Sequence, residues 1–154
     1  VTVDLPRVHS GKVRELYDAG QDRLLMVASD RVSAFDVIMT EPIPHKGRVL
    51  TAMTCFWFEE LADVVPSALL AADPGEIEVA LGAALPPDWA GRAVLMRRAE
   101  MLELECIVRG YLAGQAWEEY ERSGTVHGMP MPPRLQLASK LDEPMFTPST
   151  KATE

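Results

Sequence analysis

Val13-Arg14-Glu15-Leu16-Tyr17-Asp18-Ala19-Gly20-Gln21-Asp22-Arg23-Leu24-Leu25-Met26-Val27-Ala28 is the stretch that decides the fold class. From Val13 to Tyr17 apolar and polar residues alternate, the period of a half-buried strand. Asp18-Ala19-Gly20 is a turn signal and Arg23 to Ala28 a second apolar run, so together they predict a β-hairpin. Downstream, Phe35-Asp36-Val37-Ile38-Met39 predicts a third strand, and Pro42 and Pro44 then interrupt regular structure. From Val49 to Leu61 the period changes. Val49, Met53, Phe56, Trp57 and Leu61 fall at helical spacing and predict an amphipathic helix that covers the sheet.

Beyond Pro66 and the Ala72-Asp73-Pro74-Gly75 turn, Ile77 to Leu81 and Ala93 to Arg97 are two further strand candidates, with the Pro86-Pro87 loop between them. Leu102, Leu104, Cys106 and Val108 alternate with Glu103, Glu105, Ile107 and Arg109, again a strand pattern. Ala113 to Ser123 reads as a short helix with Gly124 as its stop. Pro130, Pro132 and Pro133 mark an irregular connection. The expected class is α+β: residues 1–100 form a mainly antiparallel lobe with one covering helix, and residues 101–154 open a second α+β lobe. The last stretch, Thr147 to Glu154, is polar and reads as having no closing helix or strand, which predicts that more polypeptide follows.

The 154 residues are 47% hydrophobic and 25% charged, the balance of a soluble globular chain. Fifteen basic against 23 acidic side chains leave a net charge of −8. That excess argues against a nucleic-acid partner, which would require surplus Lys and Arg. Small anionic substrates need only a local basic pocket and are not excluded. Cys55 and Cys106 each lie in apolar surroundings and read as buried free thiols of a reducing compartment. With no long apolar run and no signal pattern, the expectation is a cytoplasmic protein without a membrane partner.

Four segments could carry chemistry. In Ser10-Gly11-Lys12-Val13-Arg14, a glycine beside two cations could hold a polyphosphate, although the Walker A spacing is absent. Ser29 to Asp36 packs hydroxyls, carboxylates and a guanidinium behind an apolar strand. In Arg109-Gly110-Tyr111-Leu112-Ala113-Gly114-Gln115, an arginine at a strand end precedes a helix N-terminus, combining two devices for gripping anions. Phe146-Thr147-Pro148-Ser149-Thr150-Lys151 sets hydroxyls around a rigid proline and ends on a lysine. His9, His45 and His127 lack partners at ligand spacing, so no zinc site is expected. No Gly-x-Ser-x-Gly elbow is present either.

These segments, in this order, resemble the SAICAR synthetase (phosphoribosylaminoimidazole-succinocarboxamide synthase) family. The matching stretches are SGKVRELYD, SDRVSAFDV, PIPHKGRVL, LECIVRGYLAGQAWEEY with the following SGTVHG, and EPMFTPSTKA, together spanning residues 10–152. The resemblance implies a kinase-like ATP-binding arrangement in a ligase of purine biosynthesis that joins L-aspartate to a carboxylated aminoimidazole ribonucleotide. It implies ATP and Mg2+ as cofactors, with the acidic magnesium ligands downstream and none within this chain. Gly11, Lys12, Val13 and Arg14 would cover the ATP phosphates, and Glu100 and Met101 would meet adenine. Ser33, Asp36, Arg109, Gly114, Gln115, Ser149 and Lys151 would line the pocket for the nucleotide substrate and aspartate, with Lys12, Arg109 and Lys151 as the catalytic cations. Glu103 stands where the family usually has proline and Gln115 where it usually has serine, which puts Gln115's substrate contact in question. Two other readings stand beside the ligase: a non-catalytic nucleotide-binding module, and a kinase-like phosphotransferase, which lacks the His-Arg-Asp and Asp-Phe-Gly signatures.

Overall fold

The computed structural model describes residues 1–34 and 37–150. The predicted strand residues Phe35 and Asp36, and the predicted site residue Lys151, lie outside the described residues. The chain divides into two compact units, Val1–Glu100 and Met101–Glu154. Both mix helices with antiparallel sheet, the α+β class expected from sequence.

The first unit contains β1 (Arg7–Ser10), β2 (Arg14–Asp18), β3 (Arg23–Ala28), β4 (Ser33–Ala34), β5 (Val37–Ile38), α1 (Lys46–Glu60), β6 (Leu69–Ala71), α2 (Pro74–Leu81) and β7 (Ala93–Arg97). Five strands make one antiparallel sheet in the order β1-β2-β3-β7-β6. The hairpin read from sequence is β2–β3, with Leu16 opposite Met26 and Tyr17 opposite Leu25. Period-two alternation then divides β3 between two faces. Leu25 and Val27 point into a core with Ala93 and Leu95 of β7, Ile77 of α2 and Leu85. Tyr17 and Trp89 extend it with ring centroids 4.7 Å apart. Met26, Ala28 and Val94 face the opposite side, where they meet Leu50, Thr51 and Thr54 of α1.

Two expectations are corrected here. Ile77 to Leu81 is not a strand but part of helix α2. Asp73 caps it, its carboxylate accepting from the Glu76 N–H at 3.1 Å, and Pro74 supplies the first turn. Only one side of this helix is covered: Ile77 is fully buried, whereas Val79 is 84% exposed. Helix α1 forms where expected, but it meets the sheet through a different face. Its buried residues are Gly47 and Thr51. Val49, Met53, Phe56 and Trp57, which set the helical period, are all more than half exposed. Gly47 explains the approach, because a β-carbon there would stand 2.8 Å from the Ala28 carbonyl oxygen.

The second unit contains β8 (Leu104–Tyr111), α3 (Gln115–Ser123), β9 (Thr125–Val126), β10 (Met129–Pro130) and β11 (Lys140–Thr150). The run from Thr147 to Thr150, expected to lack regular structure, is instead strand, pairing antiparallel with β8 so that Thr147 opposes Ile107 and Ser149 opposes Glu105. Leu112, Ala116, Val126 and Leu141 are the buried core, with Trp117 and Tyr120 packed against it. Outside this core the ribbon is open: Leu104, Val108 and Phe146 are exposed. Cys106 is also exposed and Cys55 half-buried, so neither is the buried thiol expected; both are free. No helix among the described residues is long and apolar enough to cross a membrane.

Candidate functional site

In the first unit the site segments are tied together by backbone recognition. The turn between β1 and β2 carries Gly11, Lys12 and Val13, with Arg14 opening β2, and is closed by the Gly11 N–H donating to the Arg14 carbonyl at 2.8 Å. Arg31 holds this turn from the neighbouring segment. Its Nε donates to the Lys12 carbonyl and its Nη2 to the Gly11 carbonyl, both at 3.0 Å, while Nη1 reaches Glu15 at 3.3 Å. Ser29 adds a bond from its hydroxyl to the Val13 carbonyl at 2.9 Å. The Glu15 carboxyl is held below its ordinary range, chiefly by the Tyr17 hydroxyl and then by Arg31 and Arg7. Asp30 accepts from the Gly47 N–H at 2.8 Å and the His45 N–H at 3.1 Å, fixing the start of α1. Those two bonds, Gly47's first, keep the Asp30 carboxyl below its usual range.

Arg31 and Asp30 were visible in the sequence only as members of a polar run. Their organising role emerges from hydrogen bonds that span 15 to 20 residues, as between Arg31 and Gly11. Ser33 lies on the short β4, while Glu100 and Met101 are exposed in the segment between β7 and β8.

In the second unit, Arg109, Gln115 and Ser149 come together. With Glu119, His127 and Thr147 they line a cleft of about 80 Å3. Arg109 projects from β8 and its guanidinium is held in place: Nε donates to the Thr147 hydroxyl at 3.1 Å and Nη1 to the Ala113 carbonyl at 3.3 Å. Thr147 is buried, and its hydroxyl donates to the Ile107 carbonyl at 3.1 Å. Two of the five guanidinium N–H groups are thus engaged, leaving three without a partner among the described residues. Gly114 makes the entry to α3 with φ 58° and ψ −139°, a conformation only glycine adopts readily. It offers no capping side chain, and the Trp117 N–H donates instead to the Gly114 carbonyl at 2.9 Å.

Glu119 and His127 were not among the predicted site residues. The Glu119 carboxylate accepts from the Thr125 hydroxyl at 2.7 Å and from the His127 and Gly128 N–H groups at 2.9 Å. The Gly128 bond leads these causes in lowering the carboxyl from its ordinary 4.5 to about 2. The one sequence signal for this arrangement is the His127-Gly128 pair between short strands, a two-residue hairpin loop.

Residues 7–154 match the family model for SAICAR synthetase. The chain belongs to the SAICAR synthetase family. Among curated SAICAR synthetases, the phosphoribosylaminoimidazole-succinocarboxamide synthase of Chromobacterium violaceum is 51% identical over 148 residues, covering 96% of this chain and 51% of that protein. The enzyme of the same name from Saccharopolyspora erythraea is 51% identical, covering 97% of this chain and 48% of its relative. The structure of SAICAR synthase from Saccharomyces cerevisiae, described as complexed with SAICAR, superposes with a TM-score of 0.85 at 42% identity, over 97% of this chain and 52% of that one. The chain therefore spans about half the length of the SAICAR synthetases it matches.

Proposed function

We propose that this chain carries the phosphate-covering turn and the substrate-anion cleft of an ATP-dependent carbon–nitrogen ligase. The reaction condenses L-aspartate with 5-amino-1-(5-phospho-D-ribosyl)imidazole-4-carboxylate to give SAICAR, ADP and phosphate. The observation that carries the reading is the Arg109 guanidinium, fixed by Thr147 and Ala113 beside Gln115 and Ser149, with N–H groups left for an anion.

A carboxylate resists amine attack because oxide would have to leave. Transfer of the ATP γ-phosphoryl group to that carboxylate breaks the bond to the β-phosphate oxygen and gives an acyl phosphate and ADP. The aspartate amine then attacks the acyl carbon, expelling phosphate and losing a proton as the amide forms. Lys12 and Arg14, on a turn whose carbonyls Arg31 restrains, would neutralise charge on the transferring phosphate. Gly11 and Val13 would contribute backbone to that cover, and Glu100 and Met101 would meet adenine. Arg109, Gly114, Gln115 and Ser149, with Lys151, would hold the substrate anions, while Ser33 and Asp36 orient the nucleotide or aspartate. Glutamine in place of serine at 115 keeps an N–H donor on a longer stem. Among the described residues no group of three or more His, Cys, Asp or Glu stands close enough to hold a metal ion; the family resemblance implies acidic magnesium ligands downstream, and no step is assigned to the metal here.

ADP release by a polypeptide of the relatives' full length that includes this chain, with ATP, magnesium, the carboxylated ribonucleotide and aspartate omitted in turn, tests the reading. Release that requires both acidic substrates is expected, and the 154-residue chain alone is expected to release none. No release under any condition from a folded, full-length polypeptide would favour a nucleotide-binding module instead. Release without aspartate would indicate a phosphotransferase or an uncoupled ATPase. Arg109→Ala in that polypeptide should raise KM for the ribonucleotide far more than KM for ATP, and equal loss of both would remove Arg109 from the substrate pocket.

A further inference from the structure

The β9–β10 hairpin closes with a two-residue loop, His127-Gly128, because Val126 pairs directly with Met129. Both loop residues have positive φ, 53° at His127 and 73° at Gly128. This backbone pattern is most often served by Asn-Gly, Asp-Gly or Gly-Gly. The turn geometry tolerates a histidine at its first position but does not require an imidazole there. What the position does provide is access, since His127 lines the same cleft as Arg109, Gln115, Thr147 and Ser149. Its backbone is pinned there by Glu119, which binds the N–H groups of both loop residues and the Thr125 hydroxyl that precedes them.

Among the described residues, the charges on the cleft can be counted from every element that faces it. Arg109 on β8 contributes one positive charge, Glu119 on α3 one negative charge, and Thr147 and Ser149 on β11 are neutral. Glu119 stays ionised across the neutral range, its carboxyl lying at about 2. With a neutral imidazole the described lining thus carries no net charge; with an imidazolium it carries one positive charge. A monoanionic carboxylate can be satisfied by a guanidinium edge alone. A doubly charged oxyanion gains from a second cation, and imidazole is the side chain that changes charge between about pH 5 and 8.

Building on the reading of this cleft as an anion site, we propose that His127 is a specificity-determining contact. It supplies a positive charge beside that of Arg109, which selects a doubly charged oxyanion, of the phosphate-monoester class, over a carboxylate. Glu119 is its positioning residue.

Sulfate is the probe, because it remains a dianion throughout the range in which histidine titrates. Its affinity for the 154-residue chain is measured by NMR titration between about pH 5.5 and 8. Wild type should bind sulfate roughly tenfold more tightly at the acid end, and acetate with no comparable change. His127→Asn, which suits a left-handed backbone, should bind with little pH dependence, and Arg109→Ala should lose binding. The same pH dependence in His127→Asn would overturn the assignment to His127 while leaving the anion cleft in place. Equal sulfate binding by wild type and Arg109→Ala would overturn the cleft reading itself. A direct check needs no variant: sulfate should raise the titration midpoint of the His127 ring protons, and an unmoved midpoint would also overturn the proposal.

Discussion

The two units stabilise their functional segments by different means. In Val1–Glu100 a five-stranded sheet is covered on one face by α2 and on the other by α1, and the Gly11–Arg14 turn hangs from that sheet. Among the described residues of Met101–Glu154 the buried apolar core is four residues, and the ribbon of β8 and β11 exposes Leu104, Val108 and Phe146. Yet this second unit carries the cleft. Its geometry rests on side-chain hydrogen bonds, Arg109 to Thr147 and Glu119 to the hairpin loop, more than on apolar burial. Hydrogen bonds are directional and individually modest, whereas burial is non-directional and cumulative. The first unit should therefore resist global perturbation, and the second should respond locally to changes in charge.

The largest effect separates the two most sharply. Leu25→Ala, at a fully buried position, should cost about 2–5 kcal/mol of the first unit's stability. Val108→Thr, on the open ribbon at 67% exposure, should change stability by no more than about 0.5 kcal/mol. Urea unfolding followed by residue-resolved NMR distinguishes them. Loss of signals from both units in one transition after Leu25→Ala would break the contrast, because it would show a single cooperative structure.

Gly47→Ala comes next. Its methyl would push against the Ala28 backbone rather than a movable side chain, so about 1–3 kcal/mol should be lost from the first unit. The same melt should leave the signals of Leu112 and Val126 unchanged.

A smaller effect sharpens the other side of the comparison. The Glu119 carboxyl lies at about 2 against an ordinary 4.5, so its folded-state value is depressed. The stabilisation it gives is complete above pH 4.5 and is lost as pH falls toward 2. In that window the Gly128 and His127 amide signals should move and exchange faster while β3 amides stay protected. Simultaneous loss of both sets would mean that the hairpin loop has no separate acid transition.

What was legible in the sequence follows the range of the interactions involved. The β2–β3 hairpin reads directly from Val13 to Ala28 because alternation and a tight turn are local. The mistaken strand at Ile77–Leu81 shows two local signals in competition. Glu76-Ile77-Glu78-Val79 alternates like a strand, but the Asp73 cap and Pro74 start a helix, and capping prevailed. In α1 the apolar period found the helix but not its buried side, since Gly47 lets backbones approach and leaves the larger side chains outward. The family resemblance singled out Arg109 and Gln115, which line one cleft. It did not single out Glu119 or His127, whose arrangement depends on a hairpin folding back onto α3. Nor did Ser-Thr-Pro composition reveal a strand at Thr147–Thr150, because its partner lies some forty residues away, as the Thr147 bond to Ile107 illustrates.

Arg31 grips the carbonyl oxygens of Gly11 and Lys12, atoms that every amino acid possesses. The identity of the side chain at position 12 can thus change while these two attachment points persist. Kinetic differences among Lys12→Arg, Lys12→Gln and Lys12→Ala can then be compared on one common scaffold, separating the worth of a charge from the worth of its reach.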